Sequence, residues 1–108
     1  MRILIADDHD LLRDTLKLYL ENQTGLEPVT AKDLPEALRL MKTEGPFDLV
    51  LLDYGMPGMN GLDGLKAALD IEGSAIVALM SGIAPRDIAE SALALGAAGF
   101  LPKTLAAK

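Results

Sequence analysis

Cysteine and tryptophan are absent from this 108-residue chain, and there is a single histidine, His9. Without cysteine there is no disulfide scaffold, no thiolate metal site and no cysteine nucleophile. One histidine makes an all-histidine zinc site impossible and leaves little room for an internal Ser-His-Asp triad. Basic charge is also short, with 10 Lys plus Arg against 16 Asp plus Glu, a formal net charge of −6. Nucleic-acid binding needs a basic face against the phosphates, so this segment is a poor candidate for it. Long apolar runs are missing too. Met1-Arg2 is followed by only four apolar residues before Asp7, far short of a secretory leader, and nothing approaches the roughly 20 residues of a membrane helix. The default expectation is a soluble cytoplasmic protein with no membrane contact.

What the chain has is 50% hydrophobic residues and 24% charged ones. That suits one folded domain and argues against a disordered tail. Five short apolar runs recur: Arg2 to Ala6, Leu26 to Ala31, Asp48 to Leu52, Ala75 to Met80 and Ala97 to Leu101. Runs of this length without polar alternation suit strands buried on both faces. Glu27-Pro28 and Gly99 interrupt the second and fifth, which suits sheet edges.

Helix-length segments separate the runs. Leu12, Leu16, Tyr19 and Leu20 share one face of a first helix, with Asp10 as a candidate N-cap. Asp33-Leu34-Pro35-Glu36 reads as a helix start with the acid in capping-box position, followed by a stripe of Leu34, Leu38 and Met41. Asn60 is placed to cap a third helix with stripe Leu62, Leu65 and Leu69. Pro85 opens a fourth, with Ile88, Ala92 and Leu95 inward and Gly96 as its stop. The order βαβαβαβαβ predicts an α/β fold, a parallel sheet with helices on both faces and right-handed crossovers. After Lys103, the residues Leu105, Ala106 and Ala107 resemble the first turn of a further helix cut short. The chain, 1–108, therefore reads as one domain, a fragment of something longer.

Polar residues stand where the apolar runs stop: Asp7 and Asp8 after the first, Asp53 at the end of the third, Ser81 after the fourth and Lys103 after the fifth. Open parallel sheets bind ligands at the carboxyl ends of their strands. Taken singly, each residue is more often a turn residue, a cap or a solvated side chain than a site. Their joint placement at four strand ends points to one pocket. Three carboxylates in one pocket repel, and one Lys cannot neutralise them, so either a pKa rises or a divalent cation joins. Hard oxygen ligands suit Mg²⁺. A carboxylate, Mg²⁺, a hydroxyl and an ammonium are the parts of a phosphoryl-transfer site with an aspartyl-phosphate.

The order of these motifs resembles the receiver domain of bacterial two-component response regulators, over the whole of 1–108. The residues carrying the resemblance are Ile3-Leu4-Ile5-Ala6-Asp7-Asp8-His9, Asp53-Tyr54-Gly55-Met56-Pro57-Gly58-Met59-Asn60-Gly61, Ser81-Gly82, and Gly96-Ala97-Ala98-Gly99-Phe100-Leu101-Pro102-Lys103. The first and last of these look like the NarL/LuxR subgroup. The resemblance implies a flavodoxin-like (CheY-like) three-layer fold with sheet order 2-1-3-4-5, whose last helix is here truncated or missing. It implies Asp53 as phospho-acceptor, and Mg²⁺ on Asp7, Asp8, Asp53 and the backbone carbonyl of Gly55. It implies phosphoryl contacts from Ser81, Gly82 and Lys103, with Ser81 and Phe100 as the switch. The implied partner is a sensor histidine kinase. The implied output is transcription, through a helix-turn-helix domain beyond Lys108 and not through this segment.

Two departures from the common pattern matter. Phe100 lacks the hydroxyl of the tyrosine variant. Gly55 and Ile83 offer no polar group to orient an attacking water, so slow self-dephosphorylation is expected; fast phosphate loss from the isolated domain would contradict this. His9 reads as a rim residue at the start of the first helix rather than a phosphodonor relay. The Ala-rich fourth helix reads either as a flat packing face or as a partner face. Without the last helix, apolar surface on the first helix and fifth strand predicts a homodimer, swapping or a displaced helix; a clean monomer in sedimentation at high concentration would contradict that. Alternatives are a non-phosphorylated pseudo-receiver that dimerises, and a Mg²⁺-dependent phosphatase-like hydrolase. The hydrolase would need a second acid near the nucleophile, which Asp53-Tyr54-Gly55 does not offer. The domain is therefore expected not to be an enzyme, beyond catalysing its own phosphorylation and dephosphorylation.

Overall fold

In the computed structural model, which describes residues 1–71, 76–82 and 86–102, strands and helices alternate as the apolar pattern requires. The elements are β1 (Arg2–Ala6), α1 (Asp10–Glu21), β2 (Glu27–Ala31), α2 (Leu34–Thr43), β3 (Leu49–Asp53), α3 (Asp63–Leu69), β4 (Ile76–Ser81), α4 (Arg86–Leu95) and β5 (Gly99–Pro102). The strands form one sheet, order β2-β1-β3-β4-β5, with every neighbouring pair parallel. The two interrupted runs are the two edges, where Pro28 and Gly99 are tolerated.

Side chains alternate between two cores. Leu4, Ala6, Val50, Leu52, Val77 and Leu79 face α2, α3 and α4 and make the larger one, with Leu34, Ala37, Leu65, Ala68 and Ala92. Ile3, Ile5 and Met80 face α1 and pack with Leu16, Leu20, Leu49 and Leu51. Both faces are apolar because both are covered. None of the α1 residues is fully buried, and Leu11, Leu18 and Tyr19 are exposed. The expectation that Tyr19 faces inward is therefore corrected. Leu95 is exposed as well, whereas Ala92 is fully buried, so α4 rests on its small residues and tips its larger ones outward.

The caps follow the sequence in part. Asp33 caps α2, its Oδ1 accepting from the Glu36 amide at 2.9 Å, while Glu36 Oε1 accepts from the Lys32 amide at 2.9 Å. The first bond caps the helix; the second reaches Lys32, so the return bond of a capping box is displaced by one residue, to the amide before the N-cap. Asp10 is not a cap: it is the first residue of α1, and His9 holds the N-cap position without a side-chain cap bond. Asn60 is not a cap either. It lies in the left-handed region (φ 48°), and its Nδ2 donates to Asp63 Oδ2 at 2.8 Å. Gly61 (φ 68°) follows it, so two consecutive left-handed residues turn the chain into α3. α4 stops at Gly96, where the Gly96 and Ala97 amides reach back to the Leu93 and Ala92 carbonyls. Ala75, Ile83, Pro85 and the Lys103-to-Lys108 tail, including the suspected start of a last helix, lie outside the described residues. Among the described residues no helix is long and apolar enough to cross a membrane.

Candidate functional site

Strand register brings the site together. Ala6 pairs with Leu52, and Asp53 pairs with Met80. The next residues along, Asp7 and Ser81, therefore leave the same edge of the sheet beside Asp53. The ladder continues slightly past the strands: the Asp7 amide donates to the Ala31 carbonyl at 3.0 Å, and the Tyr54 amide to the Met80 carbonyl at 2.8 Å. These bonds hold Asp7 and Asp53 on rigid backbone rather than on loops. Asp7, Asp53 and Ser81 are the buried polar residues among those described, at 0%, 3% and 4% exposure. Nothing about core stability favours two carboxylates there.

One ligand atom from each of Asp7, Asp8, His9 and Asp53 lies within 4.8 Å of the others. The Asp7 carboxylate is oriented by the His9 amide, which donates to its Oδ1 at 2.8 Å. The Asp53 carboxylate is oriented by the Gly55 amide, which donates to its Oδ1 at 3.1 Å. The His9 ring leans over the cluster, with Nδ1 3.1 Å from Asp7 Oδ1, 3.6 Å from Asp8 Oδ1 and 3.9 Å from Asp53 Oδ2. It is thus a rim residue, as its position at the helix start suggests, but it sits over the centre of the acids and not to one side. Gly82 is exposed, and a Cβ there would meet no described atom within 4 Å. Phe100 lies half-buried on β5, in register with Leu79 and against the larger core. The register ends with Pro102 beside Ser81; Lys103 lies outside the described residues.

The donor set fits a small divalent cation. Its atoms lie within 4.8 Å of one another, on the scale of one ion's ligand sphere, and they are mainly hard carboxylate oxygens. Two carboxylates at such a separation repel by about 3–4 kcal/mol at an effective dielectric near 20, a cost that a cation removes. Mg²⁺ is therefore expected to raise the melting temperature; at about 100 times its dissociation constant the gain is roughly 2.7 kcal/mol, or some 10 °C. Asp53→Asn removes one of the clustered charges. It should melt higher than the parent without Mg²⁺ and gain less on adding it. Equal Mg²⁺ shifts in both proteins, read by calorimetry, would contradict this.

Sequence reasoning accounts for the acids but not for what aims them. Met56 and Met59 of the motif after Asp53 are buried, at 3% and 1% exposure. They anchor the Asp53 loop in the larger core. The loop also docks on the start of α2, where the Leu34 amide donates to the Pro57 carbonyl at 3.1 Å. Arg13 was missed altogether. Its Nη1 donates to the Asp7 carbonyl at 2.9 Å and its Nη2 to Asp10 Oδ1 at 2.6 Å. The available signal was the three-residue spacing of Asp10 and Arg13 on one helix.

The profile of the response regulator receiver domain family matches residues 3–108. The glycerol metabolism activator of Pseudomonas putida is 36% identical over 104 residues, 95% of this chain and 47% of that protein. The chain thus spans about half the length of that relative. The solved signal receiver domain of NarL from Mycobacterium tuberculosis is 39% identical, with a TM-score of 0.84 over 94% of this chain and 82% of that one. A LuxR family DNA-binding response regulator from Silicibacter pomeroyi is 34% identical, with a TM-score of 0.81 over 96% and 80% of the two chains.

Proposed function

Because this chain belongs to the response regulator receiver domain family, and resembles its NarL- and LuxR-type members, we propose that it accepts a phosphoryl group on Asp53 and switches conformation in response. Receiver domains are regulatory domains of two-component systems, they interact with histidine kinases, and they bind Mg²⁺ at an acidic pocket. The phosphoryl donor proposed here is accordingly a phosphohistidine on a partner kinase. What supports the reading most is the convergence of Asp7, Asp8 and Asp53 at the carboxyl ends of the neighbouring strands β1 and β3, with Asp53 almost wholly buried.

In the transfer, a carboxylate oxygen of Asp53 attacks phosphorus. An O–P bond forms, the donor's N–P bond breaks, and the imidazole leaves with the bonding pair. The Gly55 amide fixes the Asp53 carboxylate through its Oδ1. Asp7, Asp8 and Asp53, with the Gly55 carbonyl, would hold Mg²⁺, which would supply charge stabilisation for the phosphoryl oxygens. Ser81, Gly82 and Lys103 are assigned to the phosphoryl group. Once Asp53 carries it, Ser81 moves toward the new oxygens and Phe100 turns into the space left behind, a shift between states that pre-exist. The domain is not an enzyme with an outside substrate. We further propose cytoplasmic placement, homodimer formation and a transcriptional output exerted by other sequence. The net charge of −6 argues against DNA binding by this segment itself.

The test is intact-mass measurement after incubation with acetyl phosphate and Mg²⁺. One added phosphoryl group is expected, and none in Asp53→Ala. No gain in the parent protein defeats the reading.

A further inference from the structure

Arg13 stands between the acidic site and the rest of α1, and the roles proposed above leave it unused. α1 has no fully buried residue and meets the sheet mainly through Leu16 and Leu20. Yet Asp8 and His9 lead directly into this helix. Something other than apolar packing must hold that end against the repulsion of three carboxylates. The guanidinium of Arg13 is in place to do so. Its side chain is only 16% exposed, and it bridges the Asp7 carbonyl and the Asp10 carboxylate. The Arg13 amide also donates to the His9 carbonyl at 2.9 Å, so backbone and side chain of one residue both reach back to the 7–10 segment.

Resting on the proposed function, we infer that Arg13 is a positioning residue for the divalent-cation pocket. The Asp7 carbonyl belongs to the peptide plane that joins Asp7 to Asp8. Pinning it fixes the rotation that decides where Asp8 points. Asp7 itself is secured by the strand through its own amide; Asp8 is outside β1, with a side chain 38% exposed, and makes no such strand bond among the described residues. The guanidinium suits the task because it is planar, permanently charged and able to serve two acceptors at once. It also brings a fixed positive charge to the backbone of the segment that carries the acids. Lys has one ammonium and no fork, so it cannot hold both acceptors in the same geometry.

The test compares Arg13→Ala, Arg13→Lys and Leu16→Ala with the parent. Calorimetric titration with Mg²⁺ gives affinity, and acetyl phosphate uptake is followed over a range of Mg²⁺ concentrations. Arg13→Ala should weaken Mg²⁺ binding about tenfold, as is usual when a group supporting a metal ligand is removed. Its uptake rate at saturating Mg²⁺ should stay within about twofold of the parent, since the attacking group is intact. Arg13→Lys should recover only part of the loss. Leu16→Ala loosens α1 through its packing alone and should lower the melting temperature without moving the Mg²⁺ midpoint. If Arg13→Ala and Arg13→Lys leave the midpoint unchanged, or if Leu16→Ala moves it as far, the inference is overturned while the proposed function stands. A parent protein that neither binds Mg²⁺ nor takes up phosphate overturns both.

Discussion

Asp7→Asn is expected to lower Mg²⁺ affinity about 10- to 100-fold and to slow phosphoryl uptake by a similar factor at sub-saturating Mg²⁺. The substitution keeps shape and volume at a fully buried position. It also keeps an amide oxygen to accept the 2.8 Å bond from the His9 amide. What it removes is one negative charge and one strong oxygen ligand from the 4.8 Å cluster. Hence stability and function should part company. Without Mg²⁺ the variant should melt no lower than the parent, because one repulsive partner has gone. With Mg²⁺ it should fail to gain what the parent gains. Loss of uptake together with a large loss of stability would mean that Asp7 is a structural residue. Unchanged Mg²⁺ dependence would remove it from the cation site. Melting curves with and without Mg²⁺, beside uptake rates, separate the three outcomes.

Gly64→Val is expected to destabilise the fold strongly although it removes no core side chain. A Cβ at Gly64 would fall 2.5 Å from Met59 Sδ, 2.9 Å from the Met59 Cα and 3.0 Å from Leu34 Cδ2. The sulfur can swing away, but the Cα is backbone and cannot. Alanine gains about 1 kcal/mol of helix propensity over glycine, which here is outweighed by the clash, so Gly64→Ala should already be destabilising. Valine adds two methyl groups to the same crowded place and should cost about 3 kcal/mol or more, a drop of roughly 10–20 °C in melting temperature. That is a large part of the stability of a domain this size. The damage should also reach the site, because displacing Met59 pushes on the loop that begins at Asp53. A Gly64→Ala protein that melts higher than the parent would contradict this.

Much of the fold was legible because burial on two faces leaves a strong mark. Arg2 to Ala6 was bounded correctly, and the other strands shifted by one or two residues. Asp53 and Ser81 belong to their strands because ladder pairing carries on one residue past each apolar run. The edges were legible from Pro28 and Gly99. Helix faces were harder. Tyr19 and Leu95 fit an inward stripe by spacing, yet α1 and α4 each meet the sheet along a narrow line, and spacing alone does not say how wide a helix's buried face is. Asn60 has the chemistry of a cap, but its left-handed backbone makes it a turn residue that ties Asp63 instead.

The acidic site was legible for a different reason. Asp7, Asp8 and Asp53 stand at strand ends, where a parallel sheet of known order must bring them together. What was not legible is the support around them. Met56 and Met59 read as motif letters until their burial shows them as anchors. Arg13 reads as a solvated helix charge, and only the folded chain shows its guanidinium on the Asp7 carbonyl. Contacts to backbone carbonyls leave little pattern in side-chain identity, so sequence spacing hints at the Asp10 pair and is silent on the other half.

The central claim is that Asp53 carries the phosphoryl group, and chemical mapping of the modified residue tests it most directly. After incubation with acetyl phosphate and Mg²⁺, borohydride reduction converts an aspartyl phosphate to homoserine, and peptide sequencing by mass spectrometry locates it. The predicted result is homoserine at position 53, dependent on Mg²⁺ and absent when the phosphodonor is omitted. Homoserine at position 7 or 8, phosphate retained on His9, or no modified residue at all would contradict it.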